Sequence, residues 1–89
     1  MSDENYLNHP NFGLLFRMCL VDANRELFTT LYSQRLFFLV STDEEGLEFE
    51  PIRRADARLA IENRMRQLRR LGSPPEHTEL LKLYKQTFQ

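Results

Sequence analysis

The sequence predicts an α+β chain, a small β-barrel followed by an αα-hairpin. Three observations predict it. Residues 1–52 hold eight of the ten aromatic side chains and alternate apolar with polar positions between tight-turn signals. Beyond residue 53 the apolar spacing becomes helical, and the charge changes at the same point. Up to Ile52 three basic residues face nine acidic ones, a net of −6, whereas from Arg53 to Arg70 seven arginines face only Asp56 and Glu62, a net of +5. The whole-chain net of −1 hides this division. Residues 1–52 are expected to form one domain and residues 53–89 a second unit of two helices, about 54–71 and 74–88.

From residue 12 to 21 nearly every position is apolar, and Phe12, Leu14, Phe16, Met18 and Leu20 recur at period two, the pattern of a strand with one buried face. Asp22, Ala23, Asn24 and Arg25 supply turn chemistry, because Asp and Asn side chains bond their own backbone. Residues 26–32 and 35–41 are rich in aromatic and β-branched side chains and flank Ser33-Gln34, which predicts a hairpin. Pairing Tyr32 with Arg35 sets Phe28, Thr30, Phe37 and Leu39 on one face and Leu27, Thr29, Leu31, Leu36, Phe38 and Val40 on the other. Both faces are apolar, so the second face meets either the far side of the barrel or a partner protein. Asp43, Glu44, Glu45 and Gly46 form the next turn, Leu47 to Glu50 alternates, and Pro51 ends the run. Four short strands, or five with residues 6–8, predict a Tudor-like (SH3-like) barrel.

In the second unit Ala57, Ile61, Met65 and Leu68 fall on one helical stripe. Arg66 and Arg70 point away from that stripe, and Arg58, Arg64 and Arg69 flank it. The arginines read either as a solvated face pairing with the acidic barrel or as a binding surface for an anionic protein or nucleic acid. Gly72 suits a helix end, and Ser73-Pro74-Pro75-Glu76 combines an N-cap, a first-turn proline and a near capping box. His77, Leu80, Leu81, Tyr84 and Phe88 then repeat at helical spacing. This last helix is expected to have few neighbours beyond the first, and so to swing away from it.

Chemistry is sparse. A chain this short folds as one compact unit or two very small ones, and a domain near 60 residues buries only about 60% of its unfolded surface, which leaves little room for a deep cleft. His9, His77 and Cys19 show no metal-ligand spacing, no glycine-rich phosphate loop is present, and Cys19 lies in an apolar strand as a buried thiol. The expectation is no enzyme, no cofactor, no metal and no direct small-molecule ligand. No apolar run approaches the roughly 20 residues of a bilayer span, and Met1-Ser2-Asp3-Glu4 lacks a basic signal region, so the chain is expected to be cytoplasmic. Small barrels also bind RNA or DNA, and the arginine-rich helix keeps that alternative open, although a net of −6 on the barrel opposes phosphate.

Several stretches are distinctive. Tyr6-Leu7-Asn8-His9-Pro10, Phe12-Gly13-Leu14-Leu15, Glu26-Leu27-Phe28, Gln34-Arg35-Leu36-Phe37-Phe38-Leu39-Val40, Phe49-Glu50-Pro51-Ile52 and Arg66-Gln67-Leu68-Arg69-Arg70 closely resemble the PII-interacting protein X (PipX) family of cyanobacteria. The resemblance runs over nearly the full length and implies a Tudor-like domain followed by two helices. It also implies a non-enzymatic regulator that binds the PII trimer when 2-oxoglutarate is scarce and, once released, coactivates the NtcA dimer. Both partners would compete for one surface, and the free protein would be a monomer. By the same resemblance, Tyr32, Gln34, Leu36 and Phe38 carry that surface, with Glu4, Tyr6 and Phe12 nearby and Arg35 placed to pair with a carboxylate. Arg58, Arg66, Arg69 and Arg70 would offer a second surface to a further transcriptional regulator or RNA polymerase.

Overall fold

In the computed structural model, which describes residues 5–31 and 35–88, five strands precede two helices. The strands are β1 (Tyr6–His9), β2 (Gly13–Asp22), β3 (Arg25–Thr30), β4 (Phe37–Asp43) and β5 (Gly46–Ile52), and the helices are α1 (Arg54–Leu71) and α2 (Pro74–Phe88). The sheet is an antiparallel meander in the order β1-β2-β3-β4-β5, curled into a half-barrel. This is the expected α+β architecture, a Tudor-like sheet with a helical hairpin.

Both faces of the sheet are covered, by different means. On one face Met18, Cys19, Leu27 and Phe37 pack beneath Ala57, Ile61 and Leu68 of α1 and Leu80 of α2. Phe37 also stacks on Phe88 with ring centroids 5.6 Å apart. On the other face Leu15, Phe28, Phe38 and Val40 form a separate cluster with Leu7 and Phe49. There His9 of β1 meets Phe49 of β5 at 5.0 Å, so side chains from the two outermost strands touch. Such contact requires the sheet to curl toward that face.

Two details of the strands differ from the alternation. The hairpin register pairs Thr29 with Phe37, Phe28 with Phe38 and Leu27 with Leu39, one residue away from the pairing of Tyr32 with Arg35. A one-residue slip moves side chains to the opposite face, so Phe28 shares its face with Phe38 and Val40, and Leu27 shares its face with Phe37 and Leu39. The cause is the parity of the connection: the Thr30 N–H meets the Leu36 carbonyl, so an odd number of residues, 31–35, separates that pair instead of two. In β2 the period-two set is not the buried set, since Phe12 is exposed while Leu15 and Cys19 are buried. Register shifts between Arg17 and Cys19 and between Leu20 and Asp22 insert extra residues, which brings the adjacent Met18 and Cys19 into one core.

The helices follow their stripes. Ala57, Ile61 and Leu68 are buried, and Asp56 in the first turn with Arg69 and Arg70 in the last complement the helix dipole. Gly72 adopts φ 71°, ψ 44° just past α1, its N–H reaching the Arg69 carbonyl while the Ser73 N–H reaches that of Leu68 at 3.1 Å. Those two bonds make a Schellman close that needs a left-handed residue, and glycine takes it without strain. The chain then reverses into α2, where the His77 N–H bonds the Ser73 carbonyl at 3.1 Å. Helix α2 has more neighbours than its terminal position led us to expect, because Leu80 joins the sheet-facing core and Phe88 rests on Phe37. No helix among the described residues is long and apolar enough to cross a membrane.

Candidate docking surface

The connection between β3 and β4 is anchored by two threonines that the sequence reading passed over. Thr29 Oγ1 donates to the Leu36 carbonyl at 2.9 Å, and the Thr30 N–H donates to the same oxygen at 3.2 Å. Thr30 Oγ1 accepts from the N–H groups of Arg35 and Leu36 at 3.3 and 3.5 Å. Both threonines are buried, so these bonds replace a ladder that the loop cannot continue. The loop base is thereby fixed while Leu36 stays 43% exposed and Arg35 is exposed. A β-branched, hydroxyl-bearing pair just before a turn was the available signal.

A second piece comes from the turn between β1 and β2. His9 Nδ1 accepts from the N–H groups of Asn11 and Phe12 at 3.0 and 3.3 Å, which folds the Pro10-containing turn back over the histidine ring. That ring lies 4.9 Å from Phe12, 5.4 Å from Phe38 and 5.0 Å from Phe49, and Phe12 lies 5.5 Å from Phe38. His9 is thus the hub of an aromatic cluster, a role its sequence position did not reveal. Phe12 presents 48% of its surface, whereas Phe38 presents 2% and lies under the surface rather than on it.

The structure therefore brings Phe12 and Phe38 together through His9 and holds Leu36 and Arg35 at the loop base. Tyr6 stands apart from that cluster, with its ring 5.9 Å from Phe16, its cross-strand partner, and 47% of its surface open. Glu4, Tyr32 and Gln34 lie outside the described residues. Exposed apolar side chains at Tyr6, Phe12 and Leu36, on a sheet whose backbone is held by its ladder, suit recognition of a protein surface.

On α1 the arginines divide by what they bond. Arg58 donates through Nε to the Tyr84 hydroxyl at 2.9 Å, and that hydroxyl donates to Glu62 at 2.5 Å. Arg58 lies 3.4 Å from the Glu62 carboxylate as well. The Tyr84 hydrogen bond, with Arg58 beside it, holds the Glu62 carboxyl below the usual carboxylate range. Arg54 donates to the Thr87 carbonyl at 2.7 Å and stacks over Phe88 at 4.8 Å. Arg66 bonds Asn63 within its own helix, while Arg69 and Arg70 are exposed. Among the described residues no arginine of α1 makes an ion pair with the sheet. Arg54 and Arg58 clasp α2, because the hairpin brings the Thr87 carbonyl, the Tyr84 phenol and the Phe88 ring within reach.

The sheet's own ion pairs are local. Arg17 meets Glu26 at 2.7 Å and Arg25 meets Asp22 at 2.7 Å, and the Arg25 hydrogen bond lowers the Asp22 carboxyl. Burial pushes the Cys19 thiol up to about 12, against the smaller opposing pull of Arg64 and Arg17, and a thiol so placed is a poor nucleophile. Among the described residues no three His, Cys, Asp or Glu side chains converge to hold a metal ion.

No curated protein matches the sequence. The family model described as PipX, PII-interacting protein X, matches residues 3–88 of the 89, and the chain belongs to that family of regulatory PII-interacting proteins, which is not an enzyme family.

Proposed function

We propose that the chain is a cytoplasmic regulatory adaptor that uses one sheet surface for two partners in turn. At low 2-oxoglutarate that surface binds the PII trimer, and when 2-oxoglutarate rises the protein is released and coactivates the NtcA dimer. Family membership over residues 3–88 carries this reading. The exposed Phe12 and Leu36 side chains, the latter at a loop base held by Thr29 and Thr30, support it, since apolar side chains held on rigid backbone lose little entropy on docking. Within this reading Tyr32, Gln34, Arg35 and Leu36 of the loop make the contacts, with Glu4, Tyr6 and Phe12 beside them, and Phe38 acts from below as the platform for Phe12. Residues 1–52 serve as the docking module and residues 53–89 as a second module. The protein is monomeric when free and takes no small-molecule ligand itself.

The test is a pull-down on immobilised PII, run once with ADP and once with ATP plus 2-oxoglutarate. Retention with ADP and release with the second mixture are expected. Binding indifferent to the effectors defeats the adaptor reading.

A further inference from the structure

A groove of 510 Å³ runs along the seam between α1 and the end of α2, lined by Arg54, Ala55, Arg58, Leu59, Glu62 and Phe88. Its floor is apolar and partly bare. Leu59 keeps 54% of its surface exposed although it sits in mid-helix between arginines. The hairpin does not bury it, because the α1 stripe that faces the core is formed by Ala57, Ile61 and Leu68.

The walls are cationic. Arg54 holds its guanidinium over the Phe88 ring, and Arg58 bonds Tyr84 and Glu62 through Nε, so among the described residues its terminal nitrogens bond nothing. Arginine offers donors in a fixed fork that matches a carboxylate, so Arg58 retains capacity for one more acid. Among the groove's described residues the one side-chain carboxylate, Glu62, already accepts the Tyr84 hydroxyl's hydrogen bond and sits beside Arg58. Seven arginines against two acids over residues 53–70 leave the surroundings positive.

We infer that this groove is a second protein-docking site, shaped for a partner segment that carries an apolar side chain flanked by carboxylates. The apolar side chain covers Leu59 and Ala55 beside the edge of the Phe88 ring, and the flanking acids meet Arg54 and Arg58. Charge complementarity identifies the acids, and the exposed apolar floor separates a protein from a nucleic acid. Phosphate has no apolar group to cover Leu59, and a polyanion is repelled by the net of −6 on residues 1–52. The site is independent of the sheet surface proposed for PII, and its test uses neither PII nor NtcA.

The experiment titrates the full-length, isotope-labelled chain with a synthetic peptide in which leucine and phenylalanine sit among aspartates and glutamates. The same titration is repeated with a peptide whose acids are amides, with one whose apolar residues are serines, and with duplex DNA. The acidic apolar peptide is expected to shift the amides of Ala55, Arg58, Leu59 and Glu62, and each control peptide to bind at least about tenfold more weakly. Leu59→Glu is expected to lose the same factor with an unchanged melting temperature, and Leu59→Ala to lose less. Equal binding by Leu59→Glu, by the serine peptide or by DNA at these amides overturns the inference, as does no binding.

Discussion

The two faces of the sheet are built from different material and answer to different demands. Beneath the helices the core is mainly aliphatic and assembled from residues far apart in sequence, with Leu27, Ile61 and Leu80 in one cluster. On the curled face the cluster is largely aromatic, centred on Phe28 and Phe38, and it opens to solvent at Phe12. The contrast teaches where the chain spends rigidity. Aliphatic packing fixes the helices onto the sheet, and rings shared by β1, β4 and β5 support the exposed Phe12. Polar groups follow the same division, as buried threonine bonds hold the base of the β3–β4 connection while a clasp of Arg58, Tyr84 and Glu62 trims the hairpin.

The largest effect is expected on the aliphatic side. Ile61 is fully buried, and Ile61→Ala should cost about 3 kcal/mol of stability in urea unfolding, through lost contacts and a residual cavity. A loss well under about 1 kcal/mol shows that the helices are not fixed by that core. Next is the loop itself, where Tyr32→Ala should weaken binding to PII and to NtcA by at least about 2 kcal/mol each while the melting temperature holds. Affinity unchanged for both partners removes the loop from the surface.

Smaller effects sharpen the contrast between buried and exposed polar groups. Thr29→Val keeps the shape and removes the bond to the Leu36 carbonyl, and should cost about 1 kcal/mol by urea unfolding. A neutral result places no weight on the loop anchor. Tyr84→Phe removes the hydroxyl from the clasp and should destabilise less than Ile61→Ala by several-fold. Because the Glu62 carboxyl is held below its unfolded value, its contribution is present above the ordinary carboxylate pKa and disappears as pH falls through the lowered one. The wild type should therefore lose more stability on acidification than Tyr84→Phe, and parallel acid curves contradict the clasp. The smallest effect is kinetic. Cys19, raised to about 12 beneath the helices, should react with a thiol reagent far more slowly in the folded chain than in urea.

Much of this was legible in the sequence, and the remainder was not for identifiable reasons. Tight turns at Asp22 to Arg25 and Asp43 to Gly46, the stripe of Ala57, Ile61 and Leu68, and the glycine at 72 predicted the fold because each acts locally. The hairpin register was missed because Ser33-Gln34 resembles a two-residue turn, whereas the anchor sits in the side chains of Thr29 and Thr30. Alternation in β2 misled because bulges at Met18 and Val21 are set by the curl of the sheet. Net charge gave no sign that Arg54 and Arg58 meet Tyr84, Thr87 and Phe88, a pairing fixed by how α2 docks. His9 gave no sign of being an aromatic hub, since its partners Phe38 and Phe49 arrive from distant strands.

One measurement bears most directly on the claim that a single sheet surface serves two partners. The protein is saturated with PII in ADP, NtcA is added in increasing amounts, and the complexes are separated by size. The account predicts that NtcA displaces PII and that no species contains both. A stable assembly of PII, this chain and NtcA would contradict it.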